Sequence, residues 1–126
     1  MDLFIVTLLI TFIITRIGAH ILHDHEGYKI KKEKSKTFTG FVRRKSGYNF
    51  HHIHLGALIL FILVPIILIY GINKITLILF AIGTSLFIDE IVPYLFRKIK
   101  YFSLKDFFIS LFLHLFIIIL YIININ

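Results

Sequence analysis

The sequence predicts an all-α integral membrane protein, a four-helix bundle formed by one domain over 1–126, and three observations carry that prediction. Of the 126 residues, 58% are hydrophobic, and the mean hydropathy is +0.89. An apolar excess of this size has to face lipid. The apolar residues fall into four runs, at 3–22, 53–70, 75–96 and 107–123, each close to the roughly 20 helical residues that cross a bilayer. The basic residues between the runs fall almost entirely on one side.

The first run, 3–22, has no basic residue before it and no small-x-small cleavage pattern after it, so it reads as a retained span rather than a signal peptide. The connection 23–50 is polar and holds eight Lys or Arg. Connections this long without strong periodicity tend to be functional or mobile. The second run contains Pro65, which removes one helical hydrogen bond and predicts a kink. Gly71, Ile72, Asn73 and Lys74 make a very short turn, so the third span returns antiparallel to the second. The third run carries Gly83, Thr84 and Ser85, small residues that let membrane helices approach closely. A second basic connection over 97–106 holds Arg97, Lys98, Lys100 and Lys105, and the fourth span follows.

Eight basic residues in the first connection and four in the third place twelve of the fourteen on one side. By the positive-inside rule that side is cytoplasmic, both termini are outside, and the protein belongs in the cell membrane as a multi-pass protein. The basic connection 23–50 then faces anionic lipid. Nucleic acid is not an expected partner, because no recognised binding module accompanies the charge. There are no cysteines, which excludes disulfides, thiolate metal sites and a cysteine nucleophile.

This topology brings ionisable residues from every span to the cytoplasmic leaflet. Arg16, His20, His23 and Asp24 form one stripe on the first helix. His51, His52 and His54 open the second, Asp89 and Glu90 lie near the end of the third, and His114 lies in the fourth. Because Pro93 cannot donate to the Asp89 carbonyl four residues earlier, that oxygen needs another partner at membrane depth. A buried carboxylate costs at least ~2.5 kcal/mol in a span, and an arginine, protonated histidines or a divalent metal could offset it.

Two segments, His51-His52-Ile53-His54-Leu55-Gly56 and Gly83-Thr84-Ser85-Leu86-Phe87-Ile88-Asp89-Glu90, resemble a pattern in small polytopic membrane proteins of prokaryotes. In that pattern H-H-x-H-x-G opens one span and G-x-x-L-x-x-D-E lies in the next. The resemblance implies that these groups form one site and implies no particular reaction. The histidine boxes of membrane desaturases and hydroxylases differ in number and spacing.

The expected ligand set is therefore His51 and His54 with Asp89 or Glu90, joined by His20 or His23. A histidine–carboxylate set without thiolate suits Zn, Fe or Mn. Asp89 or Glu90 would act as ligand or general base, while His52, His114 and Arg16 would orient the ligands from outside the set. Arg43, Arg44 and Lys45 are the candidate residues for an anionic headgroup. Each has a plainer alternative: the first-helix histidines as interfacial polar groups, Arg16 and Asp89 as a structural ion pair, His114 as a hydrogen-bonded bundle histidine. Three functions follow: a metal-dependent enzyme acting on a lipid or other amphiphile, a non-enzymatic subunit or assembly factor of a membrane complex, and a proton or ion transport subunit. The last would need a homo-oligomer.

Overall fold

The computed structural model describes residues 2–26, 52–95 and 103–125, with side chains described through residue 18 of the first segment. They form four helices and no strand: α1 (Leu3–Glu26), α2 (His52–Tyr70), α3 (Lys74–Leu95) and α4 (Leu104–Ile125). The boundaries follow from local chemistry. Asp2 caps α1 by accepting the Phe4 amide on Oδ1 at 2.9 Å. Gly71 closes α2 at φ +75 with its amide on the Ile67 carbonyl at 2.9 Å, the left-handed ending for which glycine carries no Cβ penalty. Asn73 then caps α3, its Oδ1 accepting the amides of Ile75 and Thr76 at 2.9 and 3.0 Å. Ser103 starts α4 three residues earlier than hydropathy suggests, because its Oγ accepts the Asp106 amide at 3.2 Å. That shift puts Asp106 inside the helix's first turn.

Three helices, His52–Tyr70, Lys74–Val92 and Leu104–Asn124, are long and apolar enough to cross a membrane, and α1 carries a shorter apolar stretch, Leu3–Gly18. Phe61 and Leu68 are 80% exposed, and large aliphatic side chains line the outside of every helix. Water does not tolerate so much contiguous apolar surface on a monomer. The hydroxyls of Thr7, Thr11 and Thr15 are each turned back onto the carbonyl four residues earlier, at 2.6 to 2.8 Å. These three hydroxyls are thereby satisfied within α1 itself. Helix α2 runs through Pro65 without interruption.

Helix α3 is the centre. It packs against α2 on one side and against α1 and α4 on the other, with α1 and α4 touching lightly. The expected four-helix bundle is thus realised by three helices, with α2 laid on the outer face of α3 and touching neither α1 nor α4 among the described residues. Glycine makes that contact possible. A Cβ on Gly56 would lie 2.6 Å from the Phe87 nitrogen and 2.7 Å from the Gly83 oxygen, so the two backbones meet directly. The glycines of the two sequence motifs are therefore packing partners.

The helices alternate in direction. At one end, the ring of Phe4 stacks on those of Phe80 and Tyr121, at centroid distances of 6.1 and 4.3 Å. Leu8 and Ala81 complete this apolar core. At the other end lie Arg16, the start of α2, the end of α3 and the start of α4, which is where the sequence concentrates its ionisable groups.

Gly56→Ala forces the α2 and α3 backbones apart, and we expect it to cost about 2 kcal/mol or more, the overpacking range. Gly83→Ala meets side-chain atoms of Ile59 and Leu60 that can shift, and should cost about half as much. Reversible unfolding in mixed detergent measures both, and a Gly56→Ala protein as stable as wild type would refute the close approach.

Candidate functional site

Arg16 reaches from α1 into the gap between α3 and α4. Its Nε donates to Asp89 Oδ1 at 2.5 Å and its Nη1 to Asp106 Oδ2 at 2.6 Å. Its Nη2 donates to the Asp89 carbonyl at 3.4 Å, the oxygen that Pro93 leaves without a helical donor. The partner demanded by the sequence is thus an arginine from a neighbouring helix. Both aspartates are fully buried. Phe12, one turn before Arg16, places its ring 5.6 Å below the guanidinium, a cation–π contact that shields it further.

The network continues along α4. Ser110 Oγ donates to Asp89 Oδ1 at 3.2 Å. His114 Nδ1 lies 2.7 Å from the Ser110 carbonyl, which can only accept, so Nδ1 carries a proton. A neutral imidazole then accepts the Ser85 hydroxyl at Nε2, 3.0 Å away. Phe12 packs against the His114 ring at 4.4 Å. Asp106, Arg16, Asp89, Ser110, His114 and Ser85 therefore form one buried ladder through α1, α3 and α4. Ser85, Ser110 and His114 are fully buried, and their hydrogen bonds make that burial tolerable.

Asp89 and Glu90 are neighbours about 100° apart on α3, and they face different helices. Glu90 turns to α2. Its Oε2 accepts the Ile53 amide at 2.9 Å, one of the first-turn N–H groups that α2 itself cannot satisfy. Its Oε1 lies 3.7 Å from His52 Nδ1. The carboxylate thus caps a neighbouring helix, where the positive end of the helix dipole favours it. His52 and Ile53 at the start of α2 and Glu90 of α3 meet at this point.

Among the described residues, no group of three or more His, Asp or Glu side chains is placed to hold a metal ion. Of the expected ligand set, Glu90 lies at the α2–α3 contact and His54 lies in the first turn of α2, whereas Asp89 is engaged by Arg16. The side chains of His20 and His23, and residues His51, Arg43, Arg44 and Lys45, lie outside the described residues. His52, expected to sit behind the ligands, is placed beside Glu90. Asp106 is the functional-type residue that sequence reasoning missed, together with Ser110. A Ser-x-x-Asp step directly before the last apolar run is the signal that could have revealed it.

Removing Arg16 strands two buried carboxylates. Arg16→Met should cost about 3–5 kcal/mol, the range for breaking a buried ion pair from one side, and Asp89→Asn with Asp106→Asn should restore part of it. Ser85→Ala, which loses one neutral hydrogen bond, should cost about 1 kcal/mol. If unfolding in detergent finds Arg16→Met no worse than Ser85→Ala, the triad does not organise the structure. No protein-family model, no curated protein and no solved structure matches this chain, so its function is read from this geometry.

Proposed function

We propose that the chain is a four-span cell-membrane protein with both termini outside, and that it holds a divalent metal in the cytoplasmic leaflet where α2 meets α3. The orientation is supported by the twelve basic residues of the two connections that lie on one side. The alternating helix directions agree with it. In this orientation Arg16, Asp89, Asp106, Glu90, His52 and His54 all sit in the inner half.

One observation carries the metal reading. His52 Nδ1 is buried without a hydrogen-bond partner and lies 3.7 Å from Glu90 Oε1. That is too long for a hydrogen bond. It is close to the ~3.4 Å that separates two ligands on a tetrahedral ion with bonds of about 2.0–2.1 Å. Glu90 and His52 would hold the ion, with His51, the preceding residue in the sequence, as a further ligand. Zinc, iron or manganese fits nitrogen and carboxylate oxygen without thiolate. Such an ion supplies Lewis-acid polarisation of a substrate oxygen. Around it, the Ile53 amide fixes Glu90 Oε2 and so aims Oε1 at His52. The substrate class is a lipid or other amphiphile reached from the cytoplasmic face, its anionic headgroup held by Arg43, Arg44 and Lys45.

A specific observation also favours a second reading. The Arg16–Asp89–Asp106 triad is buried and held together by Arg16, with Asp106 Oδ1 a buried oxygen lacking a hydrogen bond, and α2 presents most of its surface outward; a core that serves mainly to specify a fold would look like this. A non-enzymatic subunit or assembly factor would show both features.

Elemental analysis of the detergent-purified protein separates the two. The metal reading expects about one equivalent of Zn, Fe or Mn per chain, lost in Glu90→Gln and reduced at least about tenfold in affinity in His52→Ala. Protein that carries no metal and binds none on titration, and copurifies with a stoichiometric membrane partner, would establish the second reading instead.

A further inference from the structure

We infer that Arg16, whose hydrogen bonds described above go to Asp89 and Asp106, is a positioning residue for the Glu90–His52 site: it sets the rotation of the last turns of α3. The functional part of this inference rests on the metal reading above, whereas its geometric part does not.

The guanidinium holds residue 89 at two points, the side-chain Oδ1 through Nε and the backbone carbonyl through Nη2. A side-chain contact alone leaves a helix free to rock about its axis. A contact to the backbone carbonyl of the same residue restricts that rotation. The third point, Asp106 Oδ2 through Nη1, ties the guanidinium to the capped first turn of α4, where Ser103 holds the Asp106 amide. Ser110 adds a fourth restraint from α4 onto Asp89 Oδ1. Residue 89 is therefore fixed from two helices at once.

Glu90 follows 100° further round, which points it at α2. Its 2.9 Å bond to the Ile53 amide and its 3.7 Å approach to His52 Nδ1 both depend on that angle. The Gly56 contact one turn further into the α2–α3 interface sets the distance between the two backbones but does not by itself choose which α3 side chain meets the α2 terminus. Pro93 has a part in this device, since it leaves the Asp89 carbonyl for Arg16 to take.

Arginine is required because three nitrogens in one plane reach three oxygens. A lysine keeps the charge but offers a single ammonium, which cannot hold two carboxylates and a carbonyl in that fork arrangement.

Arg16→Lys is therefore the test, read in two ways on the full chain in detergent micelles. The first readout is hydrogen exchange at the Ile53 amide, a first-turn group whose acceptor is Glu90. The second is the affinity for added Zn²⁺. The expected result is folded, helical protein with Ile53 exchange accelerated at least tenfold and Zn²⁺ affinity lowered about tenfold, the size of an outer-shell effect. Ser85→Ala, in the same ladder but without a hold on residue 89, should change neither. Wild-type exchange at Ile53 in Arg16→Lys overturns the inference, as does unchanged Zn²⁺ affinity alongside accelerated exchange. If the wild type itself binds no Zn²⁺, the metal reading fails, and the exchange result alone decides whether Arg16 positions Glu90. Should Arg16→Lys not fold, Asp106→Asn, which releases the Nη1 anchor, takes its place with the same outcomes.

Discussion

A single guanidinium inside an apolar protein constrains everything around it. The Arg16 side chain is only 12% exposed, and Asp89 and Asp106 are fully buried beside it. None of the three is tolerable alone. Together they join α1, α3 and α4 in one register, because each contributes one member of the triad. A purely apolar contact could slide by a turn at little cost, since lipid tails are as apolar as leucine and the hydrophobic effect does not drive membrane helices together. An ion triad with hydrogen-bond geometry cannot slide. The arrangement of these three helices therefore depends more on this polar point than on the apolar contacts around it.

The other contact, between α2 and α3, is made by a different principle. Gly56 brings two backbones together with no room for a Cβ, and Glu90 satisfies the exposed amide of Ile53 at the helix start. Close packing supplies dispersion contact along the helices, and the carboxylate fixes where α2 begins. Asp89 and Glu90, adjacent in sequence, thus serve two separate interfaces. One turn of α3 belongs to the ion triad on one side and to the histidine-bearing end of α2 on the other.

Much of this was legible in the sequence. The apolar runs, the one-sided basic residues and the gathering of ionisable groups at one level follow from hydropathy and spacing alone. So did the need of the Asp89 carbonyl for a foreign donor, because Pro93 lacks an N–H. The lateral position of α2 was not legible: when lipid-facing and protein-facing sides are equally apolar, a helix carries no pattern that says which way it points. Asp106 was missed for a related reason. It follows Arg97, Lys98, Lys100 and Lys105, so composition assigns it to a polar connection, whereas the Ser103 cap draws it into α4. Helix rotation also places His52 beside Glu90, and three histidines within four positions leave such a placement to tertiary packing.

The ladder's direction bears on what such a protein could do. It begins at Asp106 in the first turn of α4 and passes through Arg16, Asp89, Ser110 and His114 to Ser85. Beyond Ser85 the interior is Ala81, Leu8 and Phe4, all buried and apolar, until Tyr121 donates to Asp2 at 3.0 Å near the far end. A proton entering the ladder would meet two turns or more with no titratable group among the described residues to receive it, and an ion would find no charged ligand there. Conduction by one copy of this chain would need a water path through that apolar packing. A site that receives its ligand and releases it from the same face needs none, so a polar cluster confined to one end of the helices fits binding or catalysis at that end better than transport.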